Sequence, residues 1–318
     1  MWRQAWEVMF DVRSETHRDY AERLQRVLVH IQKHLGEPLP LEDLARMACF
    51  SPFHFHRVFR GMVGESVKQH VKRLRLERAA GALKSGGRAV TEIALDAGYG
   101  THEAFTRAFR DAFDCSPTEF REAAHTSTRL RSRAGVHFVA GEGGVEFRPI
   151  VEKEQTMAMT IDIRKLAPMR VAFLRHVGPY DEVGRTWERL CDWAGERCLF
   201  GPDVKYFGAS YDDPEITPTD KLRYDACLTV GAEVEGEGEI GVRTIWWGEY
   251  AVTLHEGPYS GLSETYAEII GRRLPSKGHE PGPAPCLEFY LNDPDSTEPE
   301  DLLTEIWVPI LDAPAGDR

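Results

Sequence analysis

The sequence predicts two domains of different class. The first is an all-α domain of two tandem helix-turn-helix modules. The second is an α+β domain made from a duplicated strand-helix-strand-strand unit, an antiparallel sheet carrying two helices and a ligand cleft. Three observations carry this. Phe55-His56-Arg57-Val58-Phe59-Arg60 recurs as Phe105-Thr106-Arg107-Ala108-Phe109-Arg110, offset by 50. The stretch Arg170–Tyr180 recurs as Glu249–Tyr259, offset by 79. The charge also splits: residues 1–133 hold 22 Lys+Arg against 17 Asp+Glu, whereas residues 134–318 hold 17 against 34.

Taken in order, residues 18–35 place Leu24, Val27, Leu28, Ile31 and Leu35 on one helical face, and Gly36 and Pro38 end it. Leu41 to Ala48 form the short first helix of module one, with Cys49-Phe50-Ser51 as the turn. Ser51 caps the next helix and Pro52 opens it. That helix runs to about Met62 and closes at Gly64. Phe55 and Phe59, spaced i and i+4, face inward, which puts Phe53, His56, Arg57 and Arg60 outside. Residues 66–84 form a long spacer helix, ended by Ser85-Gly86-Gly87. Module two starts near Thr91, turns at Gly98-Tyr99-Gly100 and is capped by Thr101. Its second helix, His102 to Phe113, turns Phe105 and Phe109 inward and Glu103, Arg107 and Arg110 outward. Ser116 and Glu119 make a capping box for a closing helix. Residues 126–156 are rich in Gly, Ser and charge and are expected to be a linker, with Val136–Val139 as a short strand.

In the second half, Gly208–Pro214 is echoed by Glu288–Pro294, and Leu222–Val230 by Leu302–Ile310, both offset by 80. Each half therefore reads strand, Gly-Pro-Tyr turn, helix, strand, acidic loop, strand. His176 and His255 precede the two turns and are expected to support them. The repeats would pair about a pseudo-dyad, where a cleft opens.

Composition excludes several classes. No apolar run approaches the roughly 20 residues of a membrane span. MWRQAWEVMFDVRSE has no apolar core of signal-peptide length, so a cytoplasmic protein is expected. The six cysteines form no CxxC pair and are read as reduced thiols, with no metal and no cofactor. Neither a phosphate-binding glycine loop nor a nucleophile elbow occurs. The basic first half suits nucleic acid; the acidic second half suits cationic ligands.

Residues 20–121, with both modules and the closing run from Phe105 through Phe109 and Phe113 to Arg121, resemble the DNA-binding domain of AraC/XylS-type transcription regulators. Residues 158–312, through RVAFLRHVGPY, YAVTLHEGPY and the duplication itself, resemble the gyrase-inhibitor-like effector-binding domain. The expected organisation is a DNA-binding domain at 18–125, the linker at 126–156 and an effector domain at 157–312. The first resemblance implies double-stranded DNA and RNA polymerase as partners, for a monomer or weak dimer. Base contacts would fall on Phe53, His56 and Arg57 in module one and on His102, Glu103 and Arg107 in module two. Arg60 and Arg110, with Lys68 and Lys72, would meet phosphates.

In the second domain, strand alternation places Glu288 with Tyr290, and Glu305 with Trp307. A carboxylate among aromatic rings suits a lipophilic cation, and the second resemblance implies an amphipathic cationic effector around a buried glutamate. Glu288 is the expected ligand carboxylate and Glu305 the second candidate, with Tyr290, Trp307, Trp246 and Tyr259 as lining. The plain alternative for each carboxylate is a solvated strand residue or a structural ion pair. The rival function is a domain that hydrolyses or sequesters electrophilic or toxic small molecules.

Overall fold

A computed structural model describes residues 15–123, 127–141, 145–150, 159–245 and 248–311. The chain divides into two compact units, residues 1–151 and 152–318.

The first unit is helical: α1 (Glu15–Lys33), α2 (Leu41–Met47), α3 (Pro52–Val63), α4 (Val67–Ser85), α5 (Val90–Asp96), α6 (His102–Phe113) and α7 (Pro117–Glu122). Each predicted signal does its local work. The Ser51 side chain accepts from the His54 amide and Thr101 from that of Ala104, so α3 and α6 begin alike. The turns that precede them share one backbone bond, Phe50 N–H to Ala45 C=O and Tyr99 N–H to Ala94 C=O, each 3.0 Å. Their left-handed residue is Cys49 in one module and Gly98 in the other. Ser66 and Ser116 both head complete capping boxes, at α4 and α7. Module two closes over Leu76, Ala80, Leu83, Ile93, Phe105, Phe109 and Phe120.

The stretch expected to be a linker is docked instead. Of its described residues, Ala134, Val136 and Phe147 are buried, Gln25 and Gln32 of α1 donate to Val145 C=O and His137 C=O, and the Ile150 amide reaches Met62 C=O. Residues 136–139 form no strand. They are held by Glu77 of α4, 3% exposed, whose carboxylate accepts from Arg73 (3.1 Å), the Leu130 amide (2.9 Å), His137 Nδ1 (3.0 Å) and the Phe138 amide (2.8 Å). Polarity marked this arm as loop; a buried acceptor on a neighbouring helix supplies what its own sequence lacks.

His54 lies against Tyr20 and Phe50. Burial, aided by Arg23 and Arg57, pushes its pKa down to about 4. The folded value is below the unfolded one of about 6.5, so its contribution is full above pH 6.5 and is lost as pH falls toward 4. Acid titration between these values is expected to remove roughly 2–3 kcal/mol from the first unit, and His54→Phe should flatten that slope in pH-resolved amide exchange. An unchanged slope would contradict the assignment.

The second unit is an eight-stranded antiparallel sheet: β1 (Asp162–Lys165), β2 (Met169–Val177), β3 (Tyr206–Ser210), β4 (Arg223–Thr229), β5 (Ile240–Ile245), β6 (Glu249–Glu256), β7 (Cys286–Tyr290) and β8 (Leu303–Pro309). Their order is β1-β6-β8-β7-β3-β4-β2-β5. One helix comes from each repeat. These are α8 (Gly184–Glu196) and α9 (Leu262–Glu268), the latter continued by a π-turn (Ile269–Arg273) and a last turn (Leu274–Ser276). The predicted repeat accounts for six strands; β1 and β5 are added at the two edges.

The centre of symmetry is explicit in the register. β3 pairs with β7 so that Gly208 faces Glu288, its own repeat-mate at offset 80. The two histidines before the Gly-Pro-Tyr turns are equivalent too. Nε2 of His176 and His255 reaches Pro179 C=O and Pro258 C=O, and Nδ1 pairs with Thr186 and Thr265. Both bonds tie the ring into the turn, as expected from the repetition.

Candidate functional site

The two DNA-facing helices of the sequence reading differ in exposure. α6 buries Phe105, Ala108 and Phe109. Its exposed His102, Glu103, Arg107 and Arg110 line an open concavity of about 310 Å³ with Thr106 and Asp111. α3 buries eight of its twelve residues. These include His56, 3% exposed, and Arg57, 5% exposed, which corrects the expectation that both stand on an outer face. The Arg57 guanidinium lies on the ring of Phe53, one turn back, at 4.2 Å. Phe53 and Arg60 are half-buried.

In the second unit, Glu288 is 6% exposed on the dyad, on the sheet face that carries the helices. Its Oε1 accepts from Ser210 (2.8 Å) and Tyr266 (2.7 Å), and Oε2 from Tyr290 (3.2 Å). Ser210 and Tyr290 are repeat-mates on β3 and β7, so they grip the carboxylate from both sides of the axis. A relay extends outward. The Trp187 indole donates to the Tyr224 hydroxyl (3.0 Å), which lies 2.7 Å from that of Tyr290. Burial, with Glu288 as a neighbouring charge, pushes the Tyr224 and Tyr290 phenols well above their ordinary range, so both stay protonated donors. Tyr259, 38% exposed, and Trp187 meet the Tyr290 ring edge-on at 5.6 and 5.8 Å. The mate of Glu288 is glycine for a steric reason: a Cβ at Gly208 would stand 2.3 Å from the Tyr224 hydroxyl.

Among the described residues, the hydrogen-bond partners of Glu288 are thus all neutral hydroxyls. No cation sits among these hydrogen-bond partners, and the carboxylate lies in an aromatic surround.

Glu305 and Trp307 do not join it. In the β7–β8 register Glu288 faces Ile306, whereas Glu305 faces Phe289 and Trp307 faces Leu287, on the opposite side of the sheet. There Glu305 is a structural ion pair with Arg164 at 2.8 Å, and Trp307 donates to it at 3.2 Å. The repeat supplies the same arrangement as Arg243 with Asp225, at 2.8 Å. Alternation within one strand cannot reveal this split, because the face depends on cross-strand register. Trp246 lies outside the described residues. Tyr290 and Tyr259 do lie at Glu288, whereas Ser210, Tyr266, Tyr224 and Trp187 were not anticipated. The repeat was the available signal: Ser210 is the mate of Tyr290, and Trp187 of Tyr266 at offset 79. In the acidic loop, Asp212 is bound by Arg223, and Asp213 accepts from the Glu215 amide.

Residues 159–311 match the GyrI-like small molecule binding domain, and residues 44–123 match a helix-turn-helix domain. The chain is 30% identical to the transcriptional regulator Rob of Salmonella typhimurium, over 92% of this chain and 99% of that one. It is 23% identical to the right origin-binding protein of Escherichia coli K12, with the same coverage. It is 36% identical to the HTH-type transcriptional regulator YbfP of Bacillus subtilis over 102 residues, 32% of this chain and 35% of that one. The chain belongs to the AraC-type family of transcription regulators that carry a C-terminal GyrI-like domain. It is a DNA-binding regulator with a small-molecule-binding domain. No described helix is long and apolar enough to cross a membrane.

Proposed function

We propose that Glu288 is the counter-ion for a small lipophilic cation, and that α6 carries most of the base reading. The observation that supports the first part is a buried carboxylate that accepts from the neutral hydroxyls of Ser210, Tyr266 and Tyr290, ringed by Tyr290, Tyr259, Tyr224 and Trp187. The second part rests on exposed His102, Glu103, Arg107 and Arg110 beside a largely buried α3. Arg110 and Arg60 serve phosphates, and Phe53 adds apolar contact. His56 and Arg57, being buried, are left out of this reading. The chain acts as a monomer or weak dimer and works with RNA polymerase. Effector binding alters transcription only by favouring one state of the chain over another. A sensor is favoured over the hydrolysing or sequestering alternative because Rob, 30% identical over 92% of this chain, is a transcriptional regulator.

Titration with tetraphenylphosphonium and with neutral triphenylphosphine oxide tests the site. Glu288→Gln is expected to weaken the cation at least about tenfold, and the neutral compound by less than about threefold. Equal losses would remove Glu288 as counter-ion.

A further inference from the structure

The two repeats of the second unit are offset by 79 at their first strands and by 80 later. The structure locates the extra residue. At the start of the helices Thr186 and Thr265 are mates, each bonded to its turn histidine, and Trp187 matches Tyr266. At their ends Leu199 N–H binds Ala194 C=O and His279 N–H binds Leu274 C=O, both at 3.0 Å. The left-handed residues that follow, Cys198 and Gly278, are offset by 80. Seven residues separate Trp187 from Ala194, but eight separate Tyr266 from Leu274. The added residue therefore lies inside the second helix, and the π-turn at Ile269–Arg273 absorbs it.

The geometry explains why a wider turn is needed. At about 100° per residue, seven residues return a side chain to within about 20° of its face, whereas eight overshoot by about 80°. With the π-turn where it stands, Tyr266 reaches Glu288 while Leu274, fully buried, stays in the core. If the π-turn lay on the N-terminal side of Tyr266, eight α-helical residues would join Tyr266 to the fixed Leu274. Tyr266 would then swing about 100° around the axis and leave Oε1.

Some group must move before a ligand reaches this carboxylate. Glu288 is 6% exposed and Tyr266 covers it at 5%. Ser210 and Tyr290 stand on the central strands β3 and β7, which are paired on both sides. Of the three donors only Tyr266 stands on a helix, and that helix runs into the π-turn.

We infer that the π-turn in α9 is a register switch that releases Tyr266 from Glu288 when ligand enters. This rests on the Glu288 reading and adds its gate. In the closed register Tyr266 donates to Oε1; in the open one a cation takes its place beside Oε1, while Ser210 and Tyr290 keep their bonds. Deleting Gly271 would leave seven residues between Tyr266 and the old Leu274, a plain α-helix locked closed.

Stopped-flow binding of tetraphenylphosphonium to the full chain tests this, with circular dichroism confirming fold. Deletion of Gly271 is expected to slow association at least tenfold. In a Tyr266→Ala background the same deletion should change the rate by less than twofold, since the gate is already gone. A deletion that binds as fast as wild type, or whose defect persists without Tyr266, overturns the switch. Amide exchange across 269–274 serves if the deletion does not fold. The probe should alter exchange there in wild type but not in Tyr266→Ala; unaltered exchange in a wild type that binds the probe overturns the switch alone. A wild type that fails to bind the probe overturns the Glu288 reading, and the gate with it.

Discussion

Glu77→Ala is expected to destabilise the docked arm by about 3–5 kcal/mol, the largest single effect in the first unit. The carboxylate is 3% exposed and accepts four bonds, two of them from the Leu130 and Phe138 amides of the arm. Its loss leaves those amides without an acceptor, and Arg73 with Glu65 alone of its two carboxylates. Glu77→Gln keeps an acceptor oxygen and should fall between wild type and alanine. Amide exchange of the full chain reads this directly: protection at Leu130 and Phe138 should drop in the order wild type, Gln, Ala. Alanine within about 1 kcal/mol of wild type would show that the arm is held by its apolar anchors, Ala134, Val136 and Phe147. The arm matters because it follows the DNA-binding modules in the chain and precedes the small-molecule domain.

Much of the architecture was legible because both domains are duplicated. A repeat gives each element a second witness: Phe55 and Phe59 are confirmed as core by Phe105 and Phe109, and the turn histidines by each other. What escaped has physical causes. β1 is four exposed residues, Asp162–Lys165, with no apolar alternation to detect. The arm owes its order to Glu77, some 53 to 61 residues away. On α3, helical spacing placed His56 and Arg57 outside, but spacing cannot say how much of a helix its neighbours cover. At the effector site, alternation correctly joined Glu288 to Tyr290. It could not place Glu305 on the far side of the sheet, since that follows from the pairing of β7 with β8. The hydroxyls of Ser210 and Tyr266 are ordinary residues until the fold points them at one carboxylate.

Arg107→Ala should weaken specific DNA binding by about 1–3 kcal/mol, a loss of roughly five- to 150-fold. Arg107 is exposed on α6 beside His102 and Glu103, and its repeat-mate Arg57 is buried, so no equivalent arginine in module one replaces it. A guanidinium that forks to guanine O6 and N7 carries both affinity and base choice, whereas a phosphate contact carries affinity alone. Selection from random duplex DNA at fixed salt separates the two and bears on the central claim, that this chain reads DNA sequence. Wild type should enrich one asymmetric site, because its two modules present different side chains. Arg107→Ala should lose preference at one or two positions of that site while Arg110→Ala weakens all sites alike. Failure of wild type to enrich any site, or an unchanged motif at unchanged strength from Arg107→Ala, would contradict the account.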